Sequence, residues 1–141
     1  MNENGLVVEC FGLEIEDSLR EDFLARSQHP IYELEIFPVL VAFRNWKRHL
    51  SNSQVIFYLD NDAARSALIR TDGSTELSQV IIAEFVKLEK DTGILPWFAR
   101  VPSASNPADA ASRLVFNAPW LLGVPKPSIV LPARLSQWGM S

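Results

Sequence analysis

The feature that most constrains this chain is an apolar run that ends abruptly in acids. Residues 54–59 read QVIFYL, a composition of β-branched, aromatic and apolar residues typical of a buried strand. Asp60, Asn61 and Asp62 follow at once, and residues 63–68 are good helix formers. Such a strand places an acid at the carboxyl edge of a sheet, where open α/β folds bind ligands. The simpler alternative is that Asp60 or Asn61 only caps the helix.

The bulk composition is that of a folded globular protein. Of the 141 residues, 48% are hydrophobic and 21% are charged, which suits one domain with a buried core. The formal net charge of −4 argues against a generic nucleic-acid-binding protein. An acidic chain can still act on nucleic acid where metal ions offset its carboxylates.

The number of cysteines and the N-terminal residues indicate the cellular compartment of the protein. Cys10 is the single cysteine, which excludes an internal disulfide and a cysteine-rich zinc site. The first residues lack the positive region and apolar core of a signal peptide. No apolar run has the length needed to span a bilayer. We therefore expect an intracellular protein, cytoplasmic or nuclear, with no membrane association.

Hydrophobic periodicity predicts an order of helices and strands along the chain. Apolar residues at three- and four-residue spacing indicate a short helix at 17–26 and long helices at 32–50 and 75–92. Residues 5–15 and 94–101 read as strands, the second at a sheet edge because it contains Pro96. This order predicts an α/β domain with parallel strand pairing.

Glu35 is unusual because it shares a helix face with apolar residues. Its neighbours on that face are Val39 and Trp46, so we expect its carboxylate to lean toward the core, where an acid needs a partner or a metal. Glu33 is predicted to be solvated. Pro38 either lies in the first turn, which would make the helix start late, or kinks the helix.

Asp109 is predicted to lie in the first turn of a helix that begins near residue 108, after a loop at 102–107. An acid near a helix start is favourable for dipole reasons alone, which is the simpler interpretation. The following residues, 115–141, contain four prolines and two tryptophans. We expect them to form an irregular tail packed on this domain or on a neighbouring one.

Together, Glu35, Asp60 and Asp109 are the kind of donor set that a pair of divalent ions needs. Hard Mg²⁺ prefers carboxylate oxygens and retains water ligands. Two such ions about 4 Å apart can activate a water and stabilise the leaving oxygen in phosphodiester cleavage.

Three segments of the chain resemble a known family. Residues 32–42 read YELEIFPVLVA, residues 57–64 read FYLDNDAA and residues 101–113 read VPSASNPADAASR. In this order and spacing they resemble the ribonuclease H domain of retroelement reverse transcriptases, over about residues 31–114. The resemblance implies a mixed five-stranded sheet flanked by helices and cleavage of RNA paired to DNA with Mg²⁺ or Mn²⁺. The 2′-hydroxyl lets such a site distinguish RNA from DNA.

The resemblance also implies site residues. Glu35, Asp60 and Asp109 match the family's metal-binding catalytic acids. Asn61 and Asn106 match neighbouring polar positions that shape the site. Ser103 lies in the loop where some members place a mobile histidine, and we expect it, with the two asparagines, to contact substrate.

The chain departs from the family at its N-terminal side. The family begins with a central strand carrying another aspartate, and no such stretch precedes Glu35. Glu9 and Asp62 are the alternative acids. We therefore expect an N-terminally truncated, partial ribonuclease H-like domain at residues 1–114, followed by the tail at 115–141.

Several functional interpretations remain open from the sequence. The first is a two-metal ribonuclease H in a reverse transcriptase polyprotein, with an upstream polymerase domain or a partner chain and an RNA–DNA hybrid as substrate. The second is a catalytically incomplete domain with a structural or nucleic-acid-binding role. A third, an integrase or other nuclease of the same fold, is disfavoured for integrases because their final acid is generally glutamate.

Overall fold

The computed structural model describes residues 1–2 and 4–141 and has the predicted α/β character. Its described elements, in chain order, are α1 (Asp17–Arg26), α2 (Ile31–Leu50), β1 (Gln54–Leu59), α3 (Asp62–Arg70), α4 (Glu76–Thr92), β2 (Leu95–Arg100) and the single-turn α5 (Asp109–Ser112). The described sheet has two parallel strands, β1 and β2. The parallel pairing is confirmed, whereas the resemblance implies five strands.

The register of the sheet determines which backbone groups each strand leaves free. Leu95 N–H donates to Ser53 C=O and Val101 N–H donates to Leu59 C=O, both at 2.9 Å. Because successive backbone groups of a strand point to opposite sides, the odd-numbered β1 residues bond to β2. The even-numbered ones, Gln54, Ile56 and Tyr58, therefore face the outer edge of β1.

The main core lies on one face of this sheet. Helix α2 packs against α4, and both cover the sheet. Phe43, Phe57, Phe85 and Phe98 form a chain of ring contacts with centroids 5.3–5.9 Å apart. A fully buried Phe side chain contributes about 1.5–3 kcal/mol, so this cluster is a major source of stability.

The opposite face of the sheet is open. Ile56, Tyr58, Leu95 and Trp97 are 54%, 62%, 63% and 70% exposed, respectively. Ile56 lies directly opposite Trp97 in the register, so their side chains share that face. The sheet is thus covered by helices on one side only.

Local signals set the ends of α4. Thr75 accepts from Ser78 N–H at 3.1 Å, and the Ser78 hydroxyl accepts from Thr75 N–H at 3.0 Å, forming a capping box. Gly93 ends the helix in the left-handed region at φ 67°. The helix begins one residue later than predicted because Thr75 is its cap.

Helix α2 differs from the prediction in three ways. It begins at Ile31, so Pro38 lies in its interior and the late-start alternative is wrong. The backbone leaves helical geometry at Trp46 (φ −101°, ψ 16°), two turns beyond the proline. Glu33, predicted to be solvated, is fully buried; Thr75 Oγ donates to its Oε1 at 2.8 Å, and its Oε2 has no hydrogen-bond partner in the described chain.

Residues 5–15 are not a strand of the sheet, so that prediction is wrong. They have no regular secondary structure and pair with neither β1 nor β2. We call residues 7–13 the N-terminal strip. Cys10 N–H donates to Pro125 C=O at 3.1 Å, and Cys10 forms a small apolar cluster with Ala111 and Leu121. These side-by-side contacts with the C-terminal part hold the strip without strand pairing.

The C-terminal residues pack back onto the main core. After 3₁₀ turns at Pro119–Leu121 and Leu135–Trp138 the chain ends beside α1. Leu135 and Met140 are fully buried, and Leu135 N–H donates to the Asp22 carboxylate at 2.7 Å. The end of the chain is therefore irregular in structure but part of the core.

Candidate functional site

A cavity of about 670 Å³ lies beside the end of β1. Its walls come from the N-terminal strip, α2, β1 and the segment 106–112 that contains α5. Its charged lining residues in the described part of the chain are all carboxylates: Glu9, Glu35, Asp60 and Asp109. We call it the acidic cavity. The three acids that the sequence analysis singled out therefore line one space.

Asp60 follows the last residue of β1, where the strand turns toward α3. Asn61, not Asp60, caps that helix: its side-chain oxygen accepts from Ala64 N–H at 2.9 Å. The Asp60 carboxylate is half-buried and accepts a long hydrogen bond from Ser103 Oγ at 3.4 Å. Because Asn61 does the capping, the carboxylate of Asp60 is free of that task.

Glu35 projects from the second turn of α2 into the same cavity. Its side chain is exposed toward solvent, contrary to the expected lean into the core. Partial desolvation by the cavity walls raises the pKa of Glu35 above its usual value, and the negative charge of Asp60 raises it further. The two carboxylates are thus close enough for their charges to interact.

Asp109 is the first residue of α5 and also lines the acidic cavity. Asn106 shapes the approach to this helix, since its side-chain oxygen accepts from Ala108 N–H at 3.0 Å. Asp109 Oδ2 forms an ion pair with Arg113 Nε at 3.4 Å, and both groups are partly exposed. This pair offsets the charge of Asp109 locally.

Gly12 on the N-terminal strip fixes the position of α5. A Cβ atom built on Gly12 would lie 1.8 Å from the carbonyl oxygen of Ala111. The two backbones therefore approach so closely that only glycine fits. This contact places Asp109, two residues before Ala111, against the strip.

The three polar residues predicted to contact substrate occupy different places. Asn106 lines the acidic cavity. Asn61 is held in the cap of α3, and Ser103 lies at the rim as the donor to Asp60. The structure therefore assigns local structural roles to Asn61 and Asn106 and a contact with an acid to Ser103.

The two alternative acids differ sharply in position. Glu9 lines the acidic cavity, and its carboxylate accepts a short hydrogen bond from Trp46 Nε1. Asp62 instead forms an exposed ion pair with Arg100 at 3.2 Å, outside the cavity. The donor role of Trp46 was missed because its spacing in the helix indicates only an apolar position.

The carboxylates of the acidic cavity are spread over several of its walls. Among residues 1–2 and 4–141, no three His, Cys, Asp or Glu side chains are grouped closely enough to share one metal ion. Glu35 and Asp60 are the pair whose charges interact, with Asp109 and Glu9 on other walls. Chemically, the cavity offers hard oxygen donors and an apolar wall.

Comparisons with family models, with curated proteins and with solved structures found no match to the chain. In the described part of the chain, no helix combines the length and apolar character needed to cross a membrane.

Proposed function

We propose that the chain is a ribonuclease H-like domain of the reverse transcriptase type that cleaves the RNA strand of RNA–DNA hybrids. The observation that carries this proposal is that Glu35, Asp60 and Asp109, distant in the sequence, line one cavity. The parent protein on this proposal is a reverse transcriptase polyprotein with an upstream polymerase domain or a partner chain. Its fold would be a truncated form of the family's mixed sheet.

The donor chemistry suits Mg²⁺ or Mn²⁺. Carboxylate oxygens are the preferred ligands of these hard cations. Burial and, to a smaller extent, the negative charge of Asp60 raise the pKa of Glu35, and a cation between the two carboxylates would offset their repulsion. Glu35 and Asp60 would hold one ion and Asp109 would contribute from another wall, with no single ion shared by all three, and the bound ions would supply water activation and stabilisation of the leaving oxygen.

The residues around these acids prepare the site for that role. Asn61 caps α3 and leaves Asp60 free to act as a ligand. Ser103 donates to Asp60 and so orients its carboxylate. Asn106 and Gly12 fix the start of α5 and with it the position of Asp109.

The test measures metal binding and cleavage on the same set of proteins. The full chain is titrated with Mg²⁺ and with Mn²⁺ by calorimetry, and a labelled RNA–DNA hybrid is incubated with each metal. We expect saturable binding and cleavage of the RNA strand, both lost in Asp60→Asn and Glu35→Gln. An identical DNA duplex should remain intact because it lacks the 2′-hydroxyl.

Asp72→Asn is the matched control, since Asp72 is an exposed acid in the loop after α3 and does not line the cavity. It should bind metal and cleave like the unmodified chain. If metal binding is absent, or if it survives in Asp60→Asn, the acidic cavity is not the metal site and the proposal fails.

A second candidate is a domain that binds nucleic acid or a partner without cleaving. The observation in its favour is the ion pair between Asp109 and Arg113, which occupies the third acid. On this alternative, the hybrid is retained in a filter-binding assay but stays intact with either metal. Removal of the ion pair in Arg113→Met would then leave cleavage absent, whereas a competent site would become more active.

A further inference from the structure

The open face of the sheet carries two large aromatic rings. Alternate residues of a strand share a face, so this face presents residues 54, 56 and 58 of β1 and residues 95, 97 and 99 of β2. Tyr58 and Trp97 are its aromatic members, and more than half of each residue is exposed. None of the six residues is charged. The open face therefore offers two flat rings to a ligand without adding a charge of its own.

The two rings continue the path that starts at the acids. Tyr58 lines the acidic cavity together with Asp60, which lies two residues, or about 6.6 Å, farther along the chain. Trp97 lies opposite Ile56 in the register and does not line the cavity. A ligand that reaches Asp60 can therefore continue across the open face, first over Tyr58 and then over Trp97.

The spacing of the rings indicates the form of such a ligand. Tyr58 and Trp97 are offset by two residues along the strands and by one strand across, which places their Cα atoms about 8 Å apart. Neighbouring bases in a duplex strand are only about 3.4 Å apart, and bases inside a duplex have no free face. Unpaired bases can be splayed apart and stacked singly on aromatic side chains. The rings therefore suit a single strand and not a duplex.

Arginines at the outer edge of β2 supply charge for a phosphate backbone. Arg65 Nε donates to Phe98 C=O at 3.1 Å, and Arg100 Nε pairs with Asp62 at 3.2 Å. Within the described residues both contacts use only Nε, so the terminal nitrogens of each guanidinium can bind a phosphate. Phe98 follows Trp97 directly, and Arg100 is the last residue of the same strand. Groups complementary in charge to a phosphate backbone thus lie beside the Trp97 ring.

We propose that the open face binds a single-stranded segment of nucleic acid. Its bases would stack on Tyr58 and Trp97, and its phosphates would contact Arg65 and Arg100. Stacking on aromatic rings is tolerant of sequence, so most sequences would bind. This inference rests on the proposed function for the class of ligand and adds its form, a hybrid that continues into a single strand.

The test measures binding of a short labelled oligouridine to the full chain by fluorescence anisotropy, with a chelator present so that no metal takes part. Leucine keeps the apolar character of each position but removes the ring. We expect Trp97→Leu and Tyr58→Leu each to weaken binding by at least about fivefold, the lower end of what stacking of one base contributes. Trp97→Phe keeps a ring and should lose less.

Two controls separate stacking from apolar contact and from charge. Leu95→Ala removes an exposed apolar side chain of the same face without removing a ring, and it should bind like the native chain. Arg100→Gln should reduce the slope of log affinity against log salt concentration by about 0.7, the value for one phosphate contact on a single strand.

Three outcomes of the binding test would overturn the proposal. The first is that the native chain does not bind oligouridine, and the second is that both leucine variants bind it undiminished. The third is a dimer of the native chain in sedimentation velocity that dissociates in Trp97→Leu, since a second copy would then cover the open face.

A parallel assay with metal distinguishes this inference from the proposed function. It compares a blunt hybrid with a hybrid that carries a single-stranded RNA extension, and we expect tighter binding of the extended hybrid that is lost in the leucine variants. Cleavage with equal binding of both hybrids would overturn this inference alone. Weakened oligouridine binding in the leucine variants, without cleavage of either hybrid by the native chain, would support it and contradict the proposed function.

Discussion

The two edges of the sheet are built in opposite ways. At the outer edge of β2, Pro96 has no N–H to offer, and the Arg65 side chain donates to Phe98 C=O at 3.1 Å. At the outer edge of β1, Ile56 and Tyr58 carry ordinary backbone groups without such cover. Proline and charged side chains are the usual means by which proteins prevent an edge strand from pairing.

This difference shows which edge of the sheet lacks protection against pairing. The protected edge is closed by residues of its own strand and of α3, whereas the open edge borders the acidic cavity. Asp60 follows directly on the open strand, so pairing at this edge would also fix the backbone that carries a candidate ligand.

The largest expected effect comes from removing a backbone N–H of β1 that bonds to β2, and it is compared with removal of one on the open edge. Val55→Pro removes an N–H that faces β2 and should lower the free energy of unfolding by about 3 kcal/mol or more. Ile56→Pro removes an N–H from the open edge and should cost much less. Urea unfolding of both variants measures the difference, and equal losses would contradict the assignment of an open edge.

A smaller loss is expected from Gly12→Ala on the opposite wall of the acidic cavity. The added Cβ would overlap the carbonyl oxygen of Ala111, so the strip or α5 must move at a cost of about 1–3 kcal/mol. Chemical denaturation measures the loss. Leu13→Ala, at an exposed neighbour, is the control and should have little effect. An unchanged stability of Gly12→Ala would show that the two backbones are not held in contact.

Opening the protected edge should have a moderate effect. Arg65→Ala removes the donor to Phe98 C=O and should destabilise the chain by about 1 kcal/mol. It should also increase self-association in sedimentation velocity, because the outer edge of β2 would then be covered by Pro96 alone. Arg70→Ala, at the exposed end of the same helix, is the control. Association that is no greater than in the control would mean that Arg65 does not protect the edge.

The smallest expected effect is the contribution of Glu35 to the pH dependence of stability. Because the folded-state pKa of Glu35 is raised, the folded chain binds this proton more tightly than the unfolded chain. That contribution to stability is present below the ordinary carboxyl pKa of about 4.3 and is lost as pH rises through the raised value. Glu35→Gln lacks it, so the variant should gain melting temperature relative to the native chain as pH increases. A constant difference across pH would contradict the raised pKa.

Features governed by neighbouring residues were predictable from the sequence. The Gly93 stop of α4 follows from local chemistry, although Thr75 is the cap and not the first helical residue as predicted, and Pro96 marks β2 as an edge strand. The passage from β1 through Asp60 into α3 is also local, and it placed this acid beside the cavity.

Features that depend on distant partners were not predictable. Buried Glu33 accepts a hydrogen bond from Thr75, 42 residues later, and helical spacing carries no trace of that contact. Residues 5–15 have strand-like composition but no pairing partner, since pairing is a property of two segments. Glu9 and Trp46 meet for the same non-local reason.

The position of Trp46 has a practical consequence for spectroscopy. Its indole N–H is bonded to Glu9 at the wall of the acidic cavity, so its emission is sensitive to the polarity of that space. Trp97, Trp120 and Trp138 do not line the cavity and would form a steady background. With those three replaced by phenylalanine, the remaining fluorophore would serve as an intrinsic optical probe of occupancy.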